Sequence, residues 1–169
     1  MAHIRPLVAE DRGPIERITR TCGAFSPEEE AVCLDLVDAT LHGSKEYEVV
    51  VAAEGENVLG FLTYGTDPIG QGVWEVYWIV TDANLQNRGV GSTLLAWLHE
   101  HVDGRMILIE TGGKPAYEPQ RRFYLKNGYR EVSRIQDFYT PGDDLVVYRR
   151  DIVAPMEAST RGRVAETAR

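Results

Sequence analysis

Residues 73–110 limit most what this chain can fold into. An aromatic and β-branched run, Val73 to Thr81 (VWEVYWIVT), leads into Gln86-Asn87-Arg88-Gly89-Val90-Gly91. Apolar residues then recur at helical spacing, at Val90, Leu94, Trp97, Leu98 and Val102, and Gly104 stops the pattern. Met106 to Glu110 (MILIE) follows as a short apolar run. The hydrophobic period switches from strand to helix and back. A strand, helix and strand of these lengths form a parallel crossover, right-handed by the general rule. The unbroken run Met106 to Ile109 reads as a strand buried on both faces.

The segments before this unit read differently. Ile4 to Val8 is a short first strand, and Asp11 to Thr21 carries a weak helical pattern through Ile15 and Ile18. Ser26-x-x-Glu29 with Pro27 is a capping box opening a helix through Val32, Leu34, Leu36, Val37 and Leu41, closed by Gly43. Tyr47 to Ala53, the turn Glu54-Gly55-Glu56-Asn57, and Val58 to Tyr64 form a hairpin, and a second turn at Asp67 to Gly72 leads to Val73. This is a meander and hence antiparallel. After the crossover come a loop from Thr111 to Pro119, a helix from Gln120 to Asn127 ended by Gly128, and strands at Tyr129 to Ile135 and Leu145 to Asp151. The predicted fold class is α/β, an α+β mixed sheet of about seven mostly antiparallel strands with one central parallel pair and helices on both faces. Of the 169 residues, 43% are hydrophobic, enough for one sizeable core. Residues 1–153 read as a single domain. Residues 154–169 are polar and patternless and read as a flexible tail.

Charge narrows the partners. The net charge is -8, from 18 basic and 26 acidic residues. That argues against a nucleic-acid partner and mildly favours cationic substrates. No apolar run is long enough to span a membrane, and the N-terminus lacks a signal-peptide apolar core, so a cytoplasmic protein with no membrane partner is expected. Cys22 and Cys33 read as buried reduced thiols, away from the cleft. His3, His42, His99 and His101 are scattered without a zinc pattern, so no metal is expected.

Mixed sheets bind ligands where the connectivity changes, at the carboxyl ends of parallel strands. Here that point lies between Thr81 and Glu110. A helix N-terminus there offers free N–H groups and a partial positive charge. Gly89 and Gly91 let an anion approach those groups, Arg88 adds a cation, and Ser92 adds a hydroxyl. The loop lacks the third glycine of a dinucleotide fingerprint and the Gly-Lys-Ser/Thr of a P-loop.

Ile79 to Gly91 resembles motif A of the GNAT acetyltransferases, with its Gln/Arg-x-x-Gly-x-Gly/Ala signature. The family usually carries Val and Pro where this chain has Thr81 and Ala83. The resemblance implies acetyl-CoA as co-substrate. Ile79, Val80 and Thr81 would hold its pantetheine arm like an added strand, and Gln86, Asn87, Arg88, Gly89, Val90, Gly91 and Ser92 would hold its pyrophosphate. Arg122 to Tyr129 resembles motif B, Phe-Tyr-x-x-x-Gly-Phe/Tyr. That implies Tyr124 beside the thioester sulfur, as the acid that protonates the leaving thiolate. The element order resembles the family from Ile4 to Asp151.

The acceptor amine must lose a proton before attack, and the acetyl oxygen must be stabilised, for which the amide of Val80 or Thr81 is the candidate. Glu110, at the end of an apolar strand, is expected to face the site, and it matches a glutamate that some members use as base. Glu75 is the competitor, placed by period two on one face with Tyr77 and Ile79. Water is the third possibility. Many members carry Asn where this chain has Tyr117, which with Glu118 is then free to shape the substrate side. Asp137 to Asp144 (DFYTPGDD), which contains Tyr139, reads either as a turn with solvated acids or as an anionic, aromatic wall for a cationic amine.

Together these point to an N-acetyltransferase that moves acetyl from acetyl-CoA to a primary amine of a small molecule or peptide, by direct attack in a ternary complex. The rival is a non-catalytic acyl-CoA-binding sensor or regulatory module. The family's late strands often make dimer contacts, so the resemblance also admits a homodimer.

Overall fold

The computed structural model describes residues 2–85 and 88–152. The expected tail, 154–169, lies outside them. The strands are β1 (His3–Pro6), β2 (Glu48–Glu54), β3 (Asn57–Thr66), β4 (Val73–Thr81), β5 (Met106–Gly112), β6 (Arg130–Thr140) and β7 (Asp143–Asp151). The helices are α1 (Arg12–Thr21), α2 (Pro27–Leu41), α3 (Val90–His101) and α4 (Glu118–Lys126). One sheet orders the strands β1-β2-β3-β4-β5-β7-β6. Every neighbouring pair is antiparallel except β4 with β5. The mixed sheet and its single parallel pair are as expected.

Each face of the sheet has its own core. On one, Val90, Leu94, Leu95 and Leu98 of α3 pack on Val50, Leu62, Val76, Ile107 and Ile109. On the other, Ile15 and Ile18 of α1 and Leu34 and Val37 of α2 pack on Val49, Val51, Phe61 and Val80. Neighbouring residues of β2 therefore enter opposite cores, which is why five in a row are buried. Complete burial of each such aliphatic side chain contributes on the order of 1.5–3 kcal/mol. The capping box at α2 forms as read. Ser26 N donates to Glu29 Oε2 at 2.8 Å, and Glu29 N donates to Ser26 Oγ at 3.2 Å.

Two irregularities set up the site. First, the β3–β4 register shifts between Thr63, opposite Trp78, and Tyr64, opposite Val76, which leaves Tyr77 as an extra residue. Tyr77 and Trp78 both pack against the α1–α2 core, and Ile79 is turned to the α3 core. The expectation that Glu75, Tyr77 and Ile79 share a face therefore holds only as far as the bulge. Second, β4 and β5 pair only from Val73–Met106 to Val76–Ile109. Beyond that point β4 continues to Thr81 alongside β3, and β5 continues to Gly112 alongside β7. The two strands separate into a notch.

The reading of β5 as buried on both faces is corrected. Ile107 and Ile109 are buried on the α3 side, but Leu108 is half-buried and Glu110 exposed on the other. On that side α1 and α2 cover β2, β3 and β4 and leave β5 facing an open space. Val32, read as part of the apolar pattern of α2, is 60% exposed for the same reason.

Candidate active site

The notch opens into a cavity of about 1220 Å³ that runs from the N-terminus of α3 to the N-terminus of α2. Single-ligand sites typically measure roughly 300–1,000 Å³. This one has room for two substrates end to end.

At the α3 end, Ile79, Val80 and Thr81 of β4 line the cavity with Gly89, Gly91 and Ser92. Gly89 is the N-cap of α3 with φ 80°, a left-handed backbone that favours glycine, and no side chain caps the helix. The first N–H groups of α3 therefore lack internal acceptors. A Cβ on Gly91 would come within 3.0 Å of the Phe123 ring, so glycine here keeps the floor of the loop low. The loop is anchored from below by Asp82, which is buried. Arg17 Nη1 lies 2.9 Å from Asp82 Oδ2, and Asn84 N donates to Asp82 Oδ1 at 2.9 Å. The Arg17 bond, with the main-chain donor, holds this carboxyl below its usual pKa. Val90 is not on the wall; it anchors α3 in the core. Arg88 is exposed. Gln86 and Asn87 lie outside the described residues.

In the middle, Tyr124, Glu110 and Glu75 all line the cavity. Tyr124 is 7% exposed, and its ring packs against those of Tyr148 and Tyr129 at centroid distances of 5.6 and 6.4 Å. Burial raises the pKa of the Tyr124 phenol above its usual value, helped by Tyr148. It is therefore a proton donor throughout the physiological range. Glu110 is open to the cavity rather than packed, yet its neighbours still desolvate it, and this, with the like charge of Glu75, raises its pKa. Glu75 also sits beside Tyr77, whose pKa burial and that carboxylate push up to about 12.

At the α2 end, Tyr117 and Tyr139, two of the residues read for the substrate side, line the wall. Glu118 and Asp144 do not. Glu118 pairs with Arg122 one helical turn away. Asp144 pairs with Arg134 at 3.0 Å and accepts from Asp137 N at 3.1 Å. Of the three carboxylates in the 137–144 segment, only Asp143 reaches the cavity. It is 5% exposed and accepts from Gly113 N at 3.1 Å, with Lys114 Nζ at 3.2 Å. The reading that neither cysteine approaches the cleft is also corrected. Cys22 lines the cavity, although burial raises its thiol pKa and so keeps it from being a ready nucleophile.

Sequence reasoning missed Phe25, Trp78, Glu28 and Gln120, which complete the wall. Phe25 and Trp78 stack edge to face at 4.8 Å. The bulge that turns Trp78 inward leaves no mark on the alternation pattern. Gln120 carries a buried side-chain oxygen with no hydrogen-bond partner. Among the described residues no cluster of His, Cys, Asp and Glu is arranged to hold a metal ion.

The notch between the parallel strands β4 and β5 opens above an uncapped, glycine-rich helix start. The family model described as "Acetyltransferase (GNAT) domain" matches residues 45–131. The chain belongs to the GNAT acetyltransferase family. A crystal structure of a protein assigned to that family, from Desulfovibrio desulfuricans, superposes with a TM-score of 0.86 at 32% identity, covering 90% of this chain and 100% of that one. A ribosomal-protein alanine N-acetyltransferase from Escherichia coli gives a TM-score of 0.74 at 16% identity, with 94% and 98% covered. An aminoglycoside 6'-N-acetyltransferase complexed with coenzyme A gives 0.74 at 17% identity, with 92% and 99% covered. These last two support the fold. No curated protein matches the chain in sequence. No helix among the described residues is long and apolar enough to cross a membrane.

Proposed function

We propose that the chain is an N-acetyltransferase that moves acetyl from acetyl-CoA to a primary amine of a small molecule or peptide by direct attack in a ternary complex. The unit proposed to do this is residues 1–153. The observation that carries the reading is the arrangement around the notch. Past Val76, the β4 edge that faces β5 is free of strand pairing, α3 opens with uncapped N–H groups, and Tyr124 and Glu110 line the space between.

The fit to acetyl-CoA rests on this shape. The unpaired edge of β4 at Ile79, Val80 and Thr81 can receive an amide-bearing pantetheine arm as a strand receives a strand. The start of α3 at Gly89, Gly91 and Ser92 suits a pyrophosphate. In the transfer, Glu110 takes a proton from the acceptor ammonium, with Glu75 as the alternative base. The freed amine attacks the thioester carbonyl, a main-chain N–H of Val80 or Thr81 supports the oxygen, and a C–N bond forms as the C–S bond breaks. Tyr124 donates its proton to the departing sulfur and recovers one from the nitrogen. The net products are an amide, CoA thiol and a proton.

Thiol release over a panel of polyamines, amino acids, aminoglycosides and N-terminal peptides tests this. At least one acceptor is expected to accelerate CoA formation well above hydrolysis. Tight acetyl-CoA binding with no amine-dependent thiol release would instead favour the non-catalytic sensor.

A further inference from the structure

Glu75 serves the transfer only as an alternative base, yet the strands around it are shaped to hold its side chain. Val76 enters the α3 core, so Glu75 and Tyr77, on either side of it, turn to the α1–α2 face. Gly65 of β3 is the cross-strand partner of Glu75. Such partners project to one face, with Cβ atoms roughly 4.5–5.5 Å apart. A Cβ on Gly65 would lie 3.2 Å from Tyr77 Cε2 and 3.5 Å from the Tyr77 hydroxyl oxygen. The Tyr77 ring is therefore folded back along β4 onto Gly65, level with Glu75. Glycine is what leaves room for it. Tyr77 is also the residue that the bulge leaves without a register partner, and Tyr47 meets its ring edge to face at 5.3 Å. Burial, with the Glu75 charge, keeps the phenol protonated.

Glu75 has no cation to hold it in place. The groups that act on Tyr77 and Glu110 are neutral or acidic: Tyr47 ahead of β2 and Asp67 in the β3–β4 turn act on Tyr77, and Glu75 acts on both. Glu28 and Glu29 of α2 and Tyr139 of β6 face the same cavity. Of the two lysines on its wall, Lys114 is paired with Asp143, and Lys126 ends α4, which packs on the α3 face of the sheet. A carboxylate left loose beside Glu110 can turn and accept the proton that Glu110 takes up, so that the two share it. Glu110 then stays protonated to higher pH and takes no proton from an ammonium there. A phenol O–H on one Glu75 oxygen opposes that turn, because a charge-assisted bond must break first.

We propose that Tyr77 is a positioning residue for the acceptor's proton: its hydroxyl donates to the Glu75 carboxylate over Gly65 and keeps that carboxylate from closing on Glu110. This rests on the acetyl-transfer reading. The phenol acts through Glu75 and gives up no proton of its own.

The test is the pH dependence of kcat/KM, with acetyl-CoA saturating and the most efficient amine of the acceptor panel. Tyr77→Phe keeps the ring on Gly65 and Tyr47, so Tm and KM for acetyl-CoA are expected to stay close to wild type. The acid limb is expected to move up by about one pH unit, which lowers kcat/KM about tenfold on its acid side. In a Glu75→Gln background the same substitution is expected to leave the limb in place, because no second carboxylate remains to close on Glu110. A limb unmoved by Tyr77→Phe, or moved equally in the Glu75→Gln background, overturns the inference and leaves acetyl transfer intact. Carbon-13 titration of the glutamate carboxyls in the free protein reads the same contact without turnover. The Glu110 signal is expected to titrate at higher pH in Tyr77→Phe, and an unchanged midpoint overturns the contact. No amine-dependent thiol release while acetyl-CoA binds overturns acetyl transfer and the assigned role with it, and the titration then decides whether Tyr77 holds Glu75.

Discussion

Glu75 and Glu110 stand on the same face of adjacent parallel strands and open into the same cavity. Glu75 is level with Leu108, and Glu110 lies two residues further on. Desolvation and the Glu75 charge raise the pKa of Glu110. A carboxyl with a raised pKa becomes a base only as pH climbs through that raised value, so the acid limb of kcat/KM is expected above the ordinary carboxylate range. Glu75→Gln removes the like charge and should move that limb to lower pH. Glu110→Gln should lower kcat/KM by roughly 10²-fold near neutrality and abolish the limb. A limb that survives in Glu110→Gln assigns the base to Glu75 or to water. The sign for stability is opposite to that of a salt-bridged carboxylate: the fold favours protonated Glu110, so its ionisation costs stability as pH rises through the folded pKa. Glu110→Gln should therefore keep or raise Tm at pH 7, as thermal unfolding would show.

Tyr124 offers a cleaner separation of chemistry from binding. Its ring packs against Tyr129 and Tyr148, contacts a phenylalanine would keep. Its proton is retained because burial raises the phenol pKa. Tyr124→Phe is expected to lower kcat by about 10²-fold, with KM for acetyl-CoA changed much less. Pre-steady-state thiol release should fall by the same factor. Unchanged turnover would remove the phenol from the proton path.

The anion end is tested at Gly91, whose added Cβ would meet the Phe123 ring at 3.0 Å and Thr81 Cγ2 at 3.7 Å. Gly91→Ala should raise KM for acetyl-CoA by about tenfold, since the loop must lift or Phe123 must yield. Phe123→Leu in the same chain makes room and should restore part of the loss. No rescue would place the damage in the helix rather than in that contact.

The sequence reveals features that depend on neighbours in the chain and hides those that depend on neighbours in space. β4 reads correctly from Val73 to Thr81 because its β-branched and aromatic run is bounded by turn residues. The α2 capping box reads correctly because both partners lie within one turn. Gly89 and Gly91, singled out by their motif, line the cavity, and so do Tyr117 and Tyr139. The burial of β5 misreads because an apolar run cannot tell a face covered by helix from a face left open as a floor. Asp143 and Asp144 are adjacent in sequence, yet one fastens the 112–114 segment beside the cavity and the other pairs with Arg134 on the surface. Only the β7 register separates them.

Tyr117 lines the cavity, and its packing on Gly112 allows a test of which substrate it serves. An added Cβ at Gly112 would lie 2.6 Å from the Tyr117 ring and 3.0 Å from Asp143 Oδ1. Asp143 cannot retreat freely, because it is already committed to Gly113 and Lys114. Gly112→Ala must therefore push Tyr117 off its bed. If Tyr117 is an acceptor wall, KM for the acceptor should rise by about tenfold, while KM for acetyl-CoA stays within about twofold. Two-substrate steady-state kinetics read both constants from one data set. Equal rises in the two would put Tyr117 on the donor side.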